Sequence, residues 1–349
     1  MRPSRGLHLD YVSPAEFQTA GWPDVLGVAA FDGAAAASSG PAAGEIPVAR
    51  VNTPMLSAGA ALYEVWRCGE SAESGQRERV RFRRTDEVLF GCISVTEETT
   101  RTAGDGAHSP LHQATTQAYG AMCATIDAEN YPHLLRVWNY LPDINRASHG
   151  SERYRQFNSA RQHALRASGR ALSGSVPAAS ALGAAHDSPL LVYFLAGRTA
   201  PEFVENPRQV SAYHYPAQYG TYSPVFSRAT LLRQPGGATL FISGTASIVG
   251  HRSLHVGDIA AQTRETLANI EALLEEAKRL APEARFSPDA LACKVYVRRP
   301  ADLPIIQQEL ASRLGPLARV IYLQADICRQ DLLVEIEATA TSEARLLKA

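Results

Sequence analysis

Val88-Leu89-Phe90-Gly91-Cys92-Ile93-Ser94-Val95 is a run of apolar and small residues that reads as a buried strand. Thr239-Leu240-Phe241-Ile242-Ser243-Gly244-Thr245-Ala246-Ser247 reads as the same strand met again about 150 residues later, as a repeated supersecondary unit would place it. After the first copy, Ser109-Pro110 offers an N-cap with proline at the first helical position, and the helix it opens carries Leu111, Ala114, Ala118, Met122 and Ile126 on one stripe. A strand at 134–141 is stopped by Pro142; a helix over 152–167, a loop rich in Ala, Ser and Gly, and a strand at 190–196 follow. The expected partner of that last strand is 209–215. After the second copy, Asp258 caps a helix striped by Ile259, Leu267, Ile270, Leu274 and Ala277. A strand at 293–298 closes on Pro300, a helix spans 303–314, and 319–323 is expected to pair with 332–339.

One strand, helix, strand, helix, strand, strand unit is therefore duplicated in tandem. Such a unit packs its helices on one face of a sheet, so the expected class is α+β with two lobes, 1–215 and 216–349. The first lobe carries extra strands at 25–31, 46–51, 61–67 and 80–83. Two stretches read as surface loops: 33–44, nearly all Ala, Ser, Gly and Pro, and the polar 69–78.

At 349 residues the chain is long for one core and comfortable for two. It is 45% apolar and 20% charged with a formal net charge of -1, so no global field points to nucleic acid or to an anionic membrane. Five cysteines without CxxC or Cys/His ligand spacing argue against a disulfide framework and a structural zinc site, and for a reducing compartment. The N-terminus has no apolar core of the kind a signal peptide needs, and no apolar run approaches the roughly 20 residues that span a bilayer, so a soluble cytoplasmic protein is expected.

The chemistry is sought in two places. In Cys328-Arg329-Gln330-Asp331-Leu332-Leu333-Val334-Glu335-Ile336-Glu337-Ala338, Val334 and Ile336 alternate with Glu335 and Glu337, which describes either a strand with one wet face or a site on that face. Setting the last strands of the two copies side by side puts Val334-Glu335-Ile336 against Val210-Ser211-Ala212, so the carboxylate exists in one lobe only, which favours a site where the lobes meet. The second place is the interlobe run 205–228, with Tyr213, Tyr215, Tyr219, Tyr222, His214, Arg208 and Arg228. It can stack on a flat ring and clamp an acid group, or simply pack the lobes together. Arg298-Arg299 ends a strand near Glu335 and is either a carboxylate clamp or a solvated terminus. His214, His251 and His255 show no metal-ligand grouping, and no GxSxG, P-loop or dinucleotide fingerprint is present.

Several of these segments carry a family likeness. Tyr222-Ser223 through Arg228, Leu240-Phe241-Ile242-Ser243-Gly244, Gly257-Asp258 with Gln262-Thr263-Arg264 and Asn269-Ile270, and Val334-Glu335-Ile336-Glu337-Ala338 resemble the RidA (YjgF) fold of small imine deaminases. Single RidA proteins cover one lobe. The fuller resemblance is to the two-lobed chorismatases and extends over roughly 88–340. It adds Arg136-Val137-Trp138-Asn139-Tyr140 with Asn145, Glu152-Arg153-Tyr154 with Phe157-Asn158 and Arg161, and Glu205-Asn206-Pro207-Arg208-Gln209-Val210-Ser211-Ala212-Tyr213.

Chorismatases cleave chorismate, a ring dicarboxylate carrying an enolpyruvyl ether, and release pyruvate; no metal or organic cofactor is implied. The resemblance makes Glu335 the general acid that protonates the enol ether, a task that needs a carboxyl with a raised pKa. Arg228, Arg298, Tyr213, Tyr215 and Tyr222 are the candidates for binding the substrate carboxylates. Gly244 and Cys328 resemble the branch that forms 3-hydroxybenzoate by internal rearrangement rather than the branch that hydrolyses chorismate to a diene diol. An absent side chain at Gly244 would give the ring room to tilt, and a thiol at Cys328 anchors water poorly. Relatives carry an arginine near the place of Thr221-Tyr222, so which guanidinium holds the ring carboxylate is open. RidA lobes assemble as trimers, so the chain is a trimer, or a monomer if the fused pair buries those faces. Two alternatives stand beside this reading: a RidA-like deaminase using Arg319, and a non-catalytic metabolite-binding module.

Overall fold

Three sheets, two of them carrying long helices on one face, make up the computed structural model, which describes residues 6–19, 23–31, 46–56, 62–97, 108–235, 237–315 and 317–343. The first sheet holds β1 (His8–Val12), β2 (Val25–Phe31), β3 (Val48–Arg50) and β4 (Leu62–Arg67) in the order β1-β4-β2-β3, with the short helix α1 (Pro14–Thr19) after β1. The second holds β5 (Glu73–Arg77), β6 (Val80–Arg84), β7 (Val88–Val95), β8 (His133–Pro142), β11 (Ala178–Ala184) and β12 (Leu190–Gly197) in the order β11-β8-β12-β7-β6-β5. A small ribbon, β9 (Ala147–Ser148) with β10 (Ser151–Glu152), follows β8. The third sheet holds β13 (Glu202–Val204), β14 (Ala229–Gln234), β15 (Gly237–Ala246), β18 (Ala292–Val297), β19 (Arg319–Gln324) and β20 (Val334–Glu343) in the order β13-β14-β15-β20-β18-β19, and a ribbon of β16 (Ile248–Val249) and β17 (Arg252–Ser253) follows β15.

Read from opposite ends, the two six-stranded orders are the same, and this is the tandem duplication expected from the sequence. The helices repeat with them: α2 (Pro110–Ala128) and α3 (Arg153–Ala167) in the first lobe, α4 (Ile259–Leu280) and α5 (Leu303–Arg313) in the second. Their starts are fixed where the sequence placed them. The Ser109 hydroxyl accepts from the His112 amide and the Asp258 carboxylate from the Ala261 amide, caps worth about 1 kcal/mol each. No helix among the described residues is long and apolar enough to cross a membrane.

Four expectations need correction. The partner of β12 is not 209–215, which holds only a bridge from Gln209 to Gly250 and a single turn at Ala212–His214; β12 lies between β7 and β8. The Ala/Ser/Gly-rich loop contains β11, parallel to β8. β19 pairs with β18 in parallel rather than with β20, which runs between β15 and β18. The polar stretch 69–78 contains β5, held to β6. The stretch 33–44 lies outside the described residues. The chain also enters the third sheet at Glu202, ahead of the boundary placed at 215.

The corrected registers redraw the comparison of the lobes. Tyr140 faces Leu191 across β8 and β12, and Tyr296 faces Glu335 across β18 and β20; Trp138 faces Tyr193 where Lys294 faces Glu337. Glu335 thus corresponds to Leu191, and Glu337 to Tyr193, so the acidic pair still belongs to one lobe. The equivalent Tyr140 and Tyr296 meet, hydroxyl to hydroxyl, at 2.6 Å.

The helix-free faces of all three sheets close on one core. Phe31 and Trp66 from the first sheet, Trp138 and Tyr193 from the second, and Phe241 and Leu323 from the third are buried in it together. Side chains of this size contribute about 1.5–3 kcal/mol each on burial. Separate apolar layers lie beneath the helices of each lobe.

Candidate active site

β20 brings Glu335 and Glu337 into the interior, where the two carboxyls meet opposite surroundings. Glu337 accepts from Arg136 Nη2 and Trp138 Nε1, each at 2.8 Å, and from Ser180 Oγ at 2.5 Å, and it lies 2.7 Å from Lys294 Nζ. The nearby Lys294 and Arg136 charges hold its carboxyl below the usual range despite complete burial. Glu335 has no such partners. It is 3% exposed, its hydrogen-bond contact is the Cys328 thiol at 3.9 Å, and its pKa is pushed up to about 8, first by burial and then by the Glu337 charge, against smaller opposing effects of Arg136, Cys328 and Arg298. The two carboxyls are thus pushed in opposite directions, Glu335 toward its protonated form and Glu337 toward its anion.

Glu335 opens onto a cavity of about 590 Å³ between the lobes. Asn145, Glu152 and Tyr154 come to its wall from the first lobe, and Gly244, Ala246 and the loop carrying Cys328 and Arg329 from the second. Gly244 permits this placement of the acid: a Cβ there would stand 2.0 Å from Glu335 Oε1. Cys328 is half-buried at the wall, and desolvation together with the Glu335 charge pushes its thiol up to about 12, so it is a neutral thiol rather than a nucleophile.

Five of the expected residues, Glu335, Cys328, Gly244, Arg228 and Tyr215, line this cavity together. Arg228 is buried, and its Nη2 donates to Val210 O and to the Tyr215 hydroxyl, each at 2.7 Å. Among the described residues its Nε has no partner. The other three lie elsewhere. Arg298 does not line the cavity: it donates to Leu332 O, Ile327 O, Arg329 O, Asn145 Oδ1 and Asp326 Oδ1, so it holds the 326–332 loop instead of a substrate. Tyr213 packs on the core beneath the first lobe's helices. Tyr222 sits edge-on to His163 in a separate polar cavity. Arg319 donates to Leu9 O on β1, away from the acid.

The sequence reading missed Arg329. Its guanidinium stacks 3.9 Å from the Tyr219 ring centroid and 5.1 Å from that of Tyr215, Nη1 donates to His251 O at 2.9 Å, and Nη2 is buried without a partner. Arg161 was also missed; it lines a small pocket beside Glu335 and leaves its Nε unpaired. A buried donor left unmade costs about 1–3 kcal/mol, so these guanidinium groups are set to receive an acceptor. Arg329 adjoins Cys328, and Arg161 lies in a segment that carried the resemblance, but strand and helix periods say nothing about donors converging from different lobes. The site combines a buried carboxyl, arginines with donors unpaired among the described residues, and tyrosine faces, an arrangement that suits a flat acidic ligand.

Comparison with known proteins places the chain in a family. Residues 64–196 match the family model described as "Chorismatase FkbO/Hyg5-like, N-terminal". A chorismatase of Streptomyces hygroscopicus is 38% identical over 79% of this chain and 78% of its own, and one of Streptomyces rapamycinicus is 39% identical over 78% and 80%. A 3-hydroxybenzoate synthase of Streptomyces hygroscopicus is 36% identical over 78% of this chain and 80% of its own. A solved chorismatase structure superposes with a TM-score of 0.85 at 33% identity, covering 96% of this chain and 98% of that one. By sequence over most of its length, and by fold over nearly all of it, this chain belongs to the chorismatase family.

Proposed function

We propose that the protein converts chorismate to 3-hydroxybenzoate and pyruvate, with Glu335 as the proton donor. The observation that carries this reading is the Glu335 carboxyl, buried with the Cys328 thiol as its hydrogen-bond contact and facing a cavity whose arginines have unpaired donors. Glu335 delivers its proton to the terminal carbon of the enolpyruvyl group, and the ether carbon becomes cationic. The oxygen of the ring's C4 hydroxyl bonds to C3 as the C3–ether bond breaks and pyruvate departs with the ether oxygen; the C4–oxygen bond then opens, and the C3 hydrogen, lost as a proton on aromatisation, returns to the Glu335 carboxylate. 3-Hydroxybenzoate and pyruvate together hold all the atoms of chorismate, so water takes no part, whereas the hydrolytic branch consumes one. Arg228 and Arg329 are the guanidinium groups assigned to the substrate carboxylates, with Tyr215 and Tyr219 beside them.

The five cysteines are all free thiols, which supports a reducing, cytoplasmic setting. The chain is read as a monomer, because the helix-free faces of both lobes are covered within it.

Incubation with chorismate tests the function, with pyruvate followed by a coupled assay and the aromatic product by chromatography. The expected result is pyruvate and 3-hydroxybenzoate in equal amounts, a rate falling above about pH 8 as Glu335 ionises, and loss of about 10²- to 10⁴-fold in kcat for Glu335→Gln. Untouched chorismate, or a Glu335→Gln variant with normal turnover, overturns the reading.

A further inference from the structure

Behind Glu335 runs a chain of four charges that is already balanced. Glu64, on β4 of the first sheet, lies 2.7 Å from Lys294 Nζ on β18; Lys294 lies 2.7 Å from Glu337 on β20; and Arg136 on β8 lies 2.8 Å from the other oxygen of Glu337. The four side chains are between 1% and 5% exposed. Glu64 is aimed by Trp66, whose Nε1 donates to its other oxygen at 2.9 Å. Two carboxylates face two cations, so the chain has no net charge.

The Lys294 and Arg136 charges are thus already met by Glu64 and Glu337, and this chain has no spare cation to offer an ionised Glu335. We propose that Glu64 is a positioning residue for the reaction: by neutralising Lys294 it prevents the two buried cations from stabilising an ionised Glu335, and so keeps the acid loaded. This rests on the reading of Glu335 as the proton donor. It gives the first sheet, which lies outside both repeated lobes, a part in the chemistry. Besides this chain's own Glu337 and Arg136, the groups that face Glu335 are Arg298 beyond β18, Cys328 in the preceding loop, and Tyr154 and Arg161 on α3. Glu64→Gln removes none of these groups. The direction is consistent with Lys294 being held charged by Glu337 and Glu64 against its burial.

The test is the pH dependence of kcat on chorismate in the intact protein. Glu64→Gln keeps the shape and an acceptor for Trp66 but leaves a net positive chain. The alkaline limb, expected near pH 8, moves to lower pH, with activity on the alkaline side falling about tenfold for every pH unit the limb moves, recovery toward pH 6, and little change in KM. The double variant Glu64→Gln/Lys294→Met restores the balance, since Glu337 then faces Arg136 alone, and returns the limb toward its original position. Structural damage would lower the rate at every pH and would deepen with the second substitution. Lys294→Met alone leaves a net negative chain and moves the limb to higher pH, which keeps the idea testable if Glu64→Gln does not fold. A limb unmoved in Glu64→Gln, or in Lys294→Met where that is the folded variant, overturns the inference, as does a double variant that fails to return it. Glu335→Gln separates the two levels: normal turnover there overturns the acid itself, whereas an inactive Glu335→Gln beside an unmoved limb overturns only the part given to Glu64.

Discussion

The space beside Gly244 is taken by the Glu335 carboxyl, whose Oε1 would stand 2.0 Å from any Cβ at that position. The expectation that this glycine leaves room for the ring is therefore revised: it leaves room for the acid. Gly244→Ala is expected to push the carboxyl out of line and lower kcat by about ten- to a hundredfold, as displacements near 1 Å do, with a smaller effect on KM; steady-state pyruvate release measures both. Cys328 has a different consequence. Its thiol contacts the acid at 3.9 Å and offers water a weak anchor, whereas the amide of a Cys328→Gln variant offers two donors and an acceptor. Chromatography of the products should then show the diene diol appearing beside 3-hydroxybenzoate, and an unchanged ratio would remove Cys328 from the branch point. The alternation around Glu335 was legible in the sequence. Its raised pKa was not, because the first cause is burial, which depends on elements distant in the chain closing around the carboxyl, and only the second is the Glu337 charge two residues on.

β11 shows why some elements were legible and others were not. The strands of high β-branched and aromatic content, such as Val25–Phe31 and Val88–Val95, stand where their composition put them, and the helix starts follow their capping residues. Ala178-Ala179-Ser180-Ala181-Leu182-Gly183-Ala184 has the composition of a loop, yet it is a strand because it lies where the lobes touch. Its amides meet the second lobe directly: Ala178 N donates to Thr230 Oγ1, Ala179 N to Ser243 Oγ and Gly183 N to Asp326 O. Small side chains allow that approach. A Cβ at Gly183 would come within 2.8 Å of the Asp326 Cβ and 3.2 Å of the Asp326 amide nitrogen. Gly183→Val is therefore expected to cost about 1–3 kcal/mol, read as a lower midpoint in denaturant unfolding at unchanged slope.

At the scale of the molecule, the duplication was legible because both copies keep the same order of strands and helices, but the third partner was not. The N-terminal strands looked like additions to the first lobe, whereas β1 to β4 form a sheet of their own that closes the shared core and supplies Glu64 to the buried charges. The lobes are joined by more than that core. Asn145 Nδ2 donates to Ile327 O at 2.9 Å, the Leu56 amide to Tyr322 O at 2.8 Å, and Leu7 N to the Gln234 side chain at 3.1 Å. Separating any sheet from the other two would expose Trp66, Trp138 or Phe241 and leave part of the Glu64, Lys294, Glu337 and Arg136 chain buried without its counter-charges. Independent unfolding of the lobes is thus opposed by both terms, despite a length at which separate domains are common. The expected outcome in scanning calorimetry is one transition whose calorimetric and van't Hoff enthalpies agree. Two resolved transitions would mean that the lobes are held together by less than this core and its charges.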